Sequence, residues 1–398
     1  MTVAAARTYP LPQPDKTKPP PDYATLRAEE PVARIRLPNG AEAWLITRYE
    51  DVRRLLADPR LGKAASTAPG AARILPIAQG SKSLFSTDPP QHTRLRKLIA
   101  HAFTTRQIKR LEPRIVEITE DCIDAIAAEG PGADLIEHLA LPLPIRVICE
   151  MLGVPYEDVG RFREWSDKML ATTAYSPEEI HESRAQLNGY LAELIAAKRA
   201  QPGDALLDVL IAAREDGDRL DEEELLAFGH TLLGAGYHAT AAQIIHAVVL
   251  LLTHPDQLAR LRADASLLPT AVEEMLRVSA AGGQAGSIRF AKEDIDVAGT
   301  TIKAGEALVL SIVSANHDPE RYERPADVDV GRTPNPHIAF GHGIHHCIGA
   351  PLARIELIAA LGGLLSRFPD LRLATPLSEL QWTAGMLLNR PETLPLAW

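Results

Sequence analysis

Apolar residues recur at helical spacing through most of the stretch from about 48 to 280, and strand-like alternation is confined to short segments nearer the ends. Ala33 to Leu37 and Glu42 to Thr47, separated by Pro38-Asn39-Gly40, predict a hairpin, because Asn-Gly favours a tight reversing turn. Residues 286 to 313 read as strands punctuated by Gly299 and Gly305, and 370 to 398 as irregular and strand-prone. One helix, predicted from about Asp221 to Thr253 and closed by His254-Pro255, is apolar nearly all round from Leu232 onward. Such a helix runs through the middle of a protein. Gly234 and Gly236 interrupt it, each costing about 1 kcal/mol relative to Ala, which implies either that something approaches the backbone closely or a kink with no functional purpose. A second helix is predicted from Asp88-Pro89-Pro90-Gln91, with Asp88 as N-cap, Pro89 at the first helical position and Gln91 at capping-box spacing. Its buried face would carry Leu95, Leu98, Ile99, Ala102 and Phe103. A third starts just after Cys347, with Pro351 in its first turn, and runs to Phe368. The expectation is a mainly α protein with small β-sheets: an extended Pro-rich leader over 1–22, then one large domain over 23–398.

Composition narrows the class. The chain has 398 residues, enough for a sizeable core, and 46% hydrophobic with 24% charged residues is ordinary for a soluble enzyme. The most apolar run, Ile244 to Leu252, is broken by His246 and falls far short of the roughly 20 residues of a membrane span. Three cysteines, Cys122, Cys149 and Cys347, cannot form a disulfide framework, so a cytoplasmic location is expected. A formal net charge of −10 argues against a nucleic-acid partner. Within that acidic chain Arg94, Arg96, Lys97, Arg106, Lys109 and Arg110 form a basic cluster, either a solvated helix face or a patch that steers an acidic partner.

The most informative stretch is Phe340-Gly341-His342-Gly343-Ile344-His345-His346-Cys347-Ile348-Gly349. It sets one cysteine in a glycine-rich loop at a helix start, where the helix dipole favours a thiolate and glycines admit a large flat group close to the backbone. This pattern resembles the haem-binding loop of the cytochrome P450 family, and the resemblance extends over about 30 to 398. It implies a single haem-thiolate domain holding haem b, with Cys347 as iron ligand and Phe340, Gly341 and Gly349 shaping the loop. His92, Arg96, Arg289 and His345 match the family's propionate-binding positions. Glu274 and Arg277 resemble its Glu-x-x-Arg pair, which locks Arg332 in a buried structural network. The implied reaction is monooxygenation of a bound small molecule with dioxygen and two electrons from outside, a ferredoxin and its reductase being the expected donors. A zinc-thiolate site is the weaker metal alternative, since tetrahedral zinc wants four ligands.

The chain departs from the family in the central helix, where an Ala-Gly-x-acid-Thr pattern is usual. It reads Ala235-Gly236-Tyr237-His238-Ala239-Thr240, so His238 stands at the acid, Ala239 at the alcohol, and Thr240 one position late. One residue is about 100° of rotation, so Thr240 reaches the oxygen side only if the helix is locally over- or under-wound. Three outcomes are open: His238 relays protons, a substrate hydroxyl and water replace the alcohol, or the enzyme couples or desaturates its substrate without inserting oxygen. A haem-binding sensor without turnover is the alternative from another class. Substrate contacts are expected from Phe85, Ala235, Gln284, Met386 and Leu387, and the small-chained run Ser279 to Ser287 leaves room for a bulky metabolite.

Overall fold

The computed structural model describes residues 6–76, 80, 82–100, 103–213, 219–282, 284 and 286–398, without the side chains of Thr105, Gly234 and Ala235. Helices dominate, and a six-stranded sheet stands at one edge. Its strands are β1 (Arg7–Thr8), β2 (Val32–Arg36), β3 (Glu42–Ile46), β4 (Leu61–Gly62), β5 (Ser287–Ala291) and, after the small pair β6 (Ile295–Val297) and β7 (Thr300–Ile302), β8 (Ala307–Leu310). The order is β1-β2-β3-β8-β5-β4. The expected hairpin is β2–β3, antiparallel with Ile35 opposite Ala43. All four residues of β8 are buried, because both faces of the sheet are covered: Leu308 and Leu310 pack one way, Ala307 and Val309 the other. A last pair, β9 (Arg372–Leu373) and β10 (Leu396–Ala397), closes the C-terminal segment.

The predicted central helix is present but not uniform. It runs as an α-helix over Glu222–Leu232, a wide π turn over Leu233–Tyr237, and an α-helix over His238–Thr253. Asp221 caps it, accepting from the Glu224 N–H while Glu224 reaches back to the Asp221 N–H. From Ile244 to Leu251 every residue is buried. The Gly236 backbone is approached by Ile148, whose Cδ1 would stand 2.8 Å from a Cβ there, so the close neighbour is a side chain of the helix Pro142–Leu152.

Three expectations need correction. The second helix starts at Gln91, and the Asp88 carboxylate does not cap it: it accepts from the N–H groups of Lys63 and Ala64 at 2.7 and 3.3 Å. Gln91 likewise donates to Glu224 instead of closing a capping box. Ala102, expected on the buried face of that helix, lies outside the described residues. The extended Pro-rich leader expected over 1–22 is packed on the domain over its described part. β1 pairs parallel with β2, Tyr9 and Leu11 are buried, and the Tyr9 hydroxyl donates to the Gln284 carbonyl.

Candidate active site

The cysteine loop is built by its glycines. Gly341 and Gly343 have φ of +74° and +72°, a conformation other residues rarely adopt. A Cβ on Gly343 would stand 2.8 Å from Ala57 Cα and Leu56 carbonyl oxygen, so the loop rests backbone to backbone on the helix Tyr49–Leu56. The Cys347 N–H donates to the Phe340 carbonyl at 2.9 Å, and the helix Ala350–Arg367 starts three residues later. Arg354 of that helix stacks over the Phe340 ring at 4.5 Å and forks onto Glu273 at 2.6 and 2.8 Å. His337 reaches the same carboxylate at 2.9 Å. Burial raises the Glu273 carboxyl, but Arg354 and His337 outweigh it and bring it to about 2.

Cys347 is exposed, yet protein surrounds it closely enough for burial to push its thiol above the ordinary value. Both hold if the sulfur faces an interior hollow. The Gly349 and Ala350 N–H groups, Arg96 and Arg354 pull the other way, as the helix start was expected to. Burial wins on balance.

The four expected propionate residues converge. His92 is 2% exposed and its ring lies 4.2 Å from that of His345. Arg289, 3% exposed on β5, is steadied by Ser287 Oγ and the Ile288 carbonyl. Arg96 shares the face of His92 and acts on Cys347. Desolvation lowers every one of these groups, His92 to about 4, His345 to about 2 and Arg289 to about 10, and mutual repulsion deepens the shift of both imidazoles. Lys63, which no motif marked, belongs to the same set, because it acts on both imidazoles. Cations gathered in a buried place with Asp88 as the acid acting on them fit the two carboxylates of the haem that the resemblance implies.

The buried network is complete. Glu274 and Arg277 are both 0% exposed. Arg277 forks onto Glu274 at 2.8 and 2.7 Å and donates to the carbonyls of Asn316, Pro325 and Asp327. Arg332 Nε meets Glu274 at 3.0 and 3.1 Å, and Asn335 and the Asp329 N–H occupy the remaining carboxylate positions. Each lone pair of a buried carboxylate is thereby satisfied.

On the central helix, Ala239 is exposed between the buried His238 and Thr240. Thr240 does not take its place. It is buried, and its hydroxyl donates to the Gly236 carbonyl at 2.8 Å, the back-bonding usual for threonine inside a helix. The under-winding that would have turned it round is present upstream, but leaves Ala239 on the open side. His238 is also turned away. It is buried against the helix Val159–Met169, with Nε2 3.6 Å from Asp167 Oδ1 and a contact to the Ser166 backbone, and burial lowers it to about 4.

Gln284, expected to touch substrate, has its amide taken up elsewhere: it accepts from the Leu11 N–H and donates to the Leu11 carbonyl. A small-chained loop needs such a tie to hold its course. The side chain of Ala235, and Gly283 and Ala285 of the same run, lie outside the described residues. Phe85 is 39% exposed with Lys63 over its ring. Met386 and Leu387 lie on a turn bound to the end of the helix Val159–Met169: Met386 bridges Ala171 and the Leu387 N–H donates to the Leu170 carbonyl. Of the basic cluster, Arg94 is paired with the buried Glu224 and Arg96 faces inward, which leaves Lys97, Arg106, Lys109 and Arg110 exposed. Among the described residues no three His, Cys, Asp or Glu side chains could share a metal ion. No helix among them is long and apolar enough to cross a membrane.

Comparison with known proteins points the same way. The description of the Cytochrome P450 family matches residues 162–395. The chain is 47% identical over 399 residues to nocardicin C N-oxygenase of Nocardia uniformis subsp. tsuyamanensis, covering 100% of both chains. It is 44% identical over 399 residues, again 100% of both, to the mycinamicin IV hydroxylase/epoxidase of Micromonospora griseorubida. The crystal structure of the LnmA cytochrome P450 hydroxylase, from the leinamycin biosynthetic pathway of Streptomyces atroolivaceus, superposes with a TM-score of 0.92 at 46% identity, covering 99% of this chain and 100% of that one. With a cysteine loop, a buried Glu-Arg-Arg network and full-length likeness to oxygenases, the chain belongs to the cytochrome P450 family and is an oxidoreductase of its monooxygenase type.

Proposed function

We propose that this enzyme binds haem b, with Cys347 on the iron and His92, Arg96, Arg289 and His345 on the propionates, and oxidises a bulky specialised metabolite in the cytoplasm. The observation that carries this reading is the convergence of those four cationic or imidazole groups, His92 and Arg289 buried and Arg96 and His345 half-buried, beside the single cysteine of the loop. A thiolate-bound haem supplies the oxidising power, drawing on dioxygen and external electrons. The chain supplies position. Phe340, Gly341 and Gly349 shape the loop, and Arg354 with Glu273 braces it. Glu274, Arg277 and Arg332 hold the segment leading into it. Arg106, Lys109 and Arg110 support an acidic ferredoxin, fed by its reductase, as electron donor. Phe85, Met386 and Leu387 are the proposed substrate contacts. The likeness to the nocardicin C and mycinamicin IV enzymes supports a specialised metabolite as substrate.

In this reading protons from solvent are relayed through the bound substrate and ordered water. Ala239 offers no hydroxyl, Thr240 is bonded to its own helix, and both polar contacts of His238 lie toward the neighbouring helix. A substrate carrying a hydroxyl or amine beside the reacting atom replaces the missing donor. The same absence favours a second reading, oxidative coupling or desaturation without oxygen insertion. A red-shifted Soret band in the reduced carbon monoxide complex, lost in Cys347→Ser, tests the ligand. Turnover under labelled dioxygen separates the two reactions: label in the product supports monooxygenation, and its absence supports coupling or desaturation.

A further inference from the structure

We propose that Lys63 is a fifth ligand to the cofactor's carboxylates and ties that contact to Phe85 in the loop facing the substrate. The proposal rests on the haem reading above. Lys63 directly follows β4, whose Gly62 pairs antiparallel with Phe290, so the next step of that register sets it opposite Arg289. Its own N–H is held by Asp88, just ahead of the helix that carries His92. The fold therefore fixes Lys63 by its backbone and leaves the ammonium to other use. That ammonium lies 5.4 Å from the centre of the Phe85 ring.

Among the described residues Lys63 has no ion pair. Asp88, the acid that acts on it, already accepts from two backbone N–H groups and lies 3.7 Å from Lys292. Apart from Asp88, the charged or titratable neighbours of Lys63 are cationic or imidazole: Arg289 opposes its charge, and Lys63 in turn opposes charge on His92. Burial first, and Arg289 next, bring the ammonium down to about 7, with Asp88 opposing. A half-buried lysine among like charges is stabilised by an anion, and the β4–β5 register sets it beside Arg289, one of the residues proposed to hold the carboxylates. Lysine suits the role because its compact ammonium can meet a carboxylate from one side while its stem packs on an aromatic ring.

The test uses the purified holoenzyme and its release of haem to excess apomyoglobin. Lys63→Met should release haem about tenfold faster than wild type, the loss expected for one charge-assisted contact. Lys63→Arg should stay close to wild type. Reconstitution with haem dimethyl ester, which has no free carboxylate, should abolish the difference between wild type and Lys63→Met. Equal release of ordinary haem by both proteins would overturn the proposal. So would an equal difference with the ester, since the side chain would then act through packing alone. A wild-type protein that takes up no haem would overturn the functional reading along with it, whereas haem held normally by Lys63→Met would overturn this inference only.

Discussion

The imidazole of His238 faces the carboxylate of Asp167, Nε2 to Oδ1 at 3.6 Å, across the junction between the central helix and the helix Val159–Met169. The Tyr237 hydroxyl donates to the same oxygen at 3.4 Å. This explains why the family's usual acid is missing from position 238. A carboxylate there would confront Asp167 inside the protein, where burial already raises the Asp167 carboxyl. His238→Asp should therefore destabilise the fold by roughly 1–3 kcal/mol, and adding Asp167→Asn should recover most of the loss. Chemical denaturation of the two single variants and the double variant measures the coupling. Additive losses would show that the two positions do not sense each other.

Stability should fall with mild acid. Burial brings His230, His238, His246 and His317 from an ordinary 6.5 to about 4. The unfolded chain takes up these protons first as pH drops, so the neutral native imidazoles are stabilising above about 6.5 and that advantage is lost progressively toward 4. Each contributes on the order of 1–3 kcal/mol to the loss. Glu273, held at about 2, adds a further loss as pH falls below its unfolded value of 4.5. Urea midpoints at pH 7.5, 6 and 5 should decline in order, and a flat series would contradict the assignment.

Glu274 neutralises two guanidinium groups at once, so Glu274→Gln leaves Arg277 buried without its counter-charge. A loss of about 3–5 kcal/mol is expected. Arg277→Lys should fare little better, because an ammonium cannot fork onto the carboxylate while also reaching the Asn316, Pro325 and Asp327 carbonyls. Soluble yield and thermal midpoint report both.

Thr240→Val should leave coupling of electrons to product nearly unchanged and cost at most about 1 kcal/mol, since among the described residues the hydroxyl bonds only to the Gly236 carbonyl. Ala239→Thr places an alcohol on the open side and should alter peroxide release. If Thr240→Val uncouples the enzyme instead, Thr240 supplies the proton after all.

Gly385, at φ +68°, presents its carbonyl to three N–H groups, those of Thr172, Thr173 and Ala174. A Cβ there would stand 2.6 Å from the Ala174 nitrogen. Gly385→Ala should thus part the Met386-Leu387 turn from the segment after Met169 without touching the cysteine loop. Faster hydrogen exchange at 172–174, with an unaltered Soret band, is the expected signature.

Local order carried much of this site into the sequence. The cysteine loop is contiguous, and His92 with Arg96, or Glu274 with Arg277, sit within one helical turn. Lys63 and Asp167 were invisible because their roles exist only where β4 meets β5 and where two helices cross. Asp88 and Gln284 misled for the converse reason: each looked fit for a local or ligand-facing task, and a distant backbone, at residues 63–64 or at Leu11, took up its polar atoms. The wide turn in the central helix was foreshadowed by its two glycines, but not its hand in choosing which side chain faces inward.

That wide turn, Leu233–Tyr237, holds one more residue than a regular helical turn closes with its hydrogen bonds. It uncouples the phase of the two flanking halves, so the buried stripe after residue 240 and the capped start at Asp221 can each keep its own packing. A deletion of one residue within it would act like a dial turned by a single notch, re-aiming what the helix shows to a guest molecule while the walls on either side stay in place.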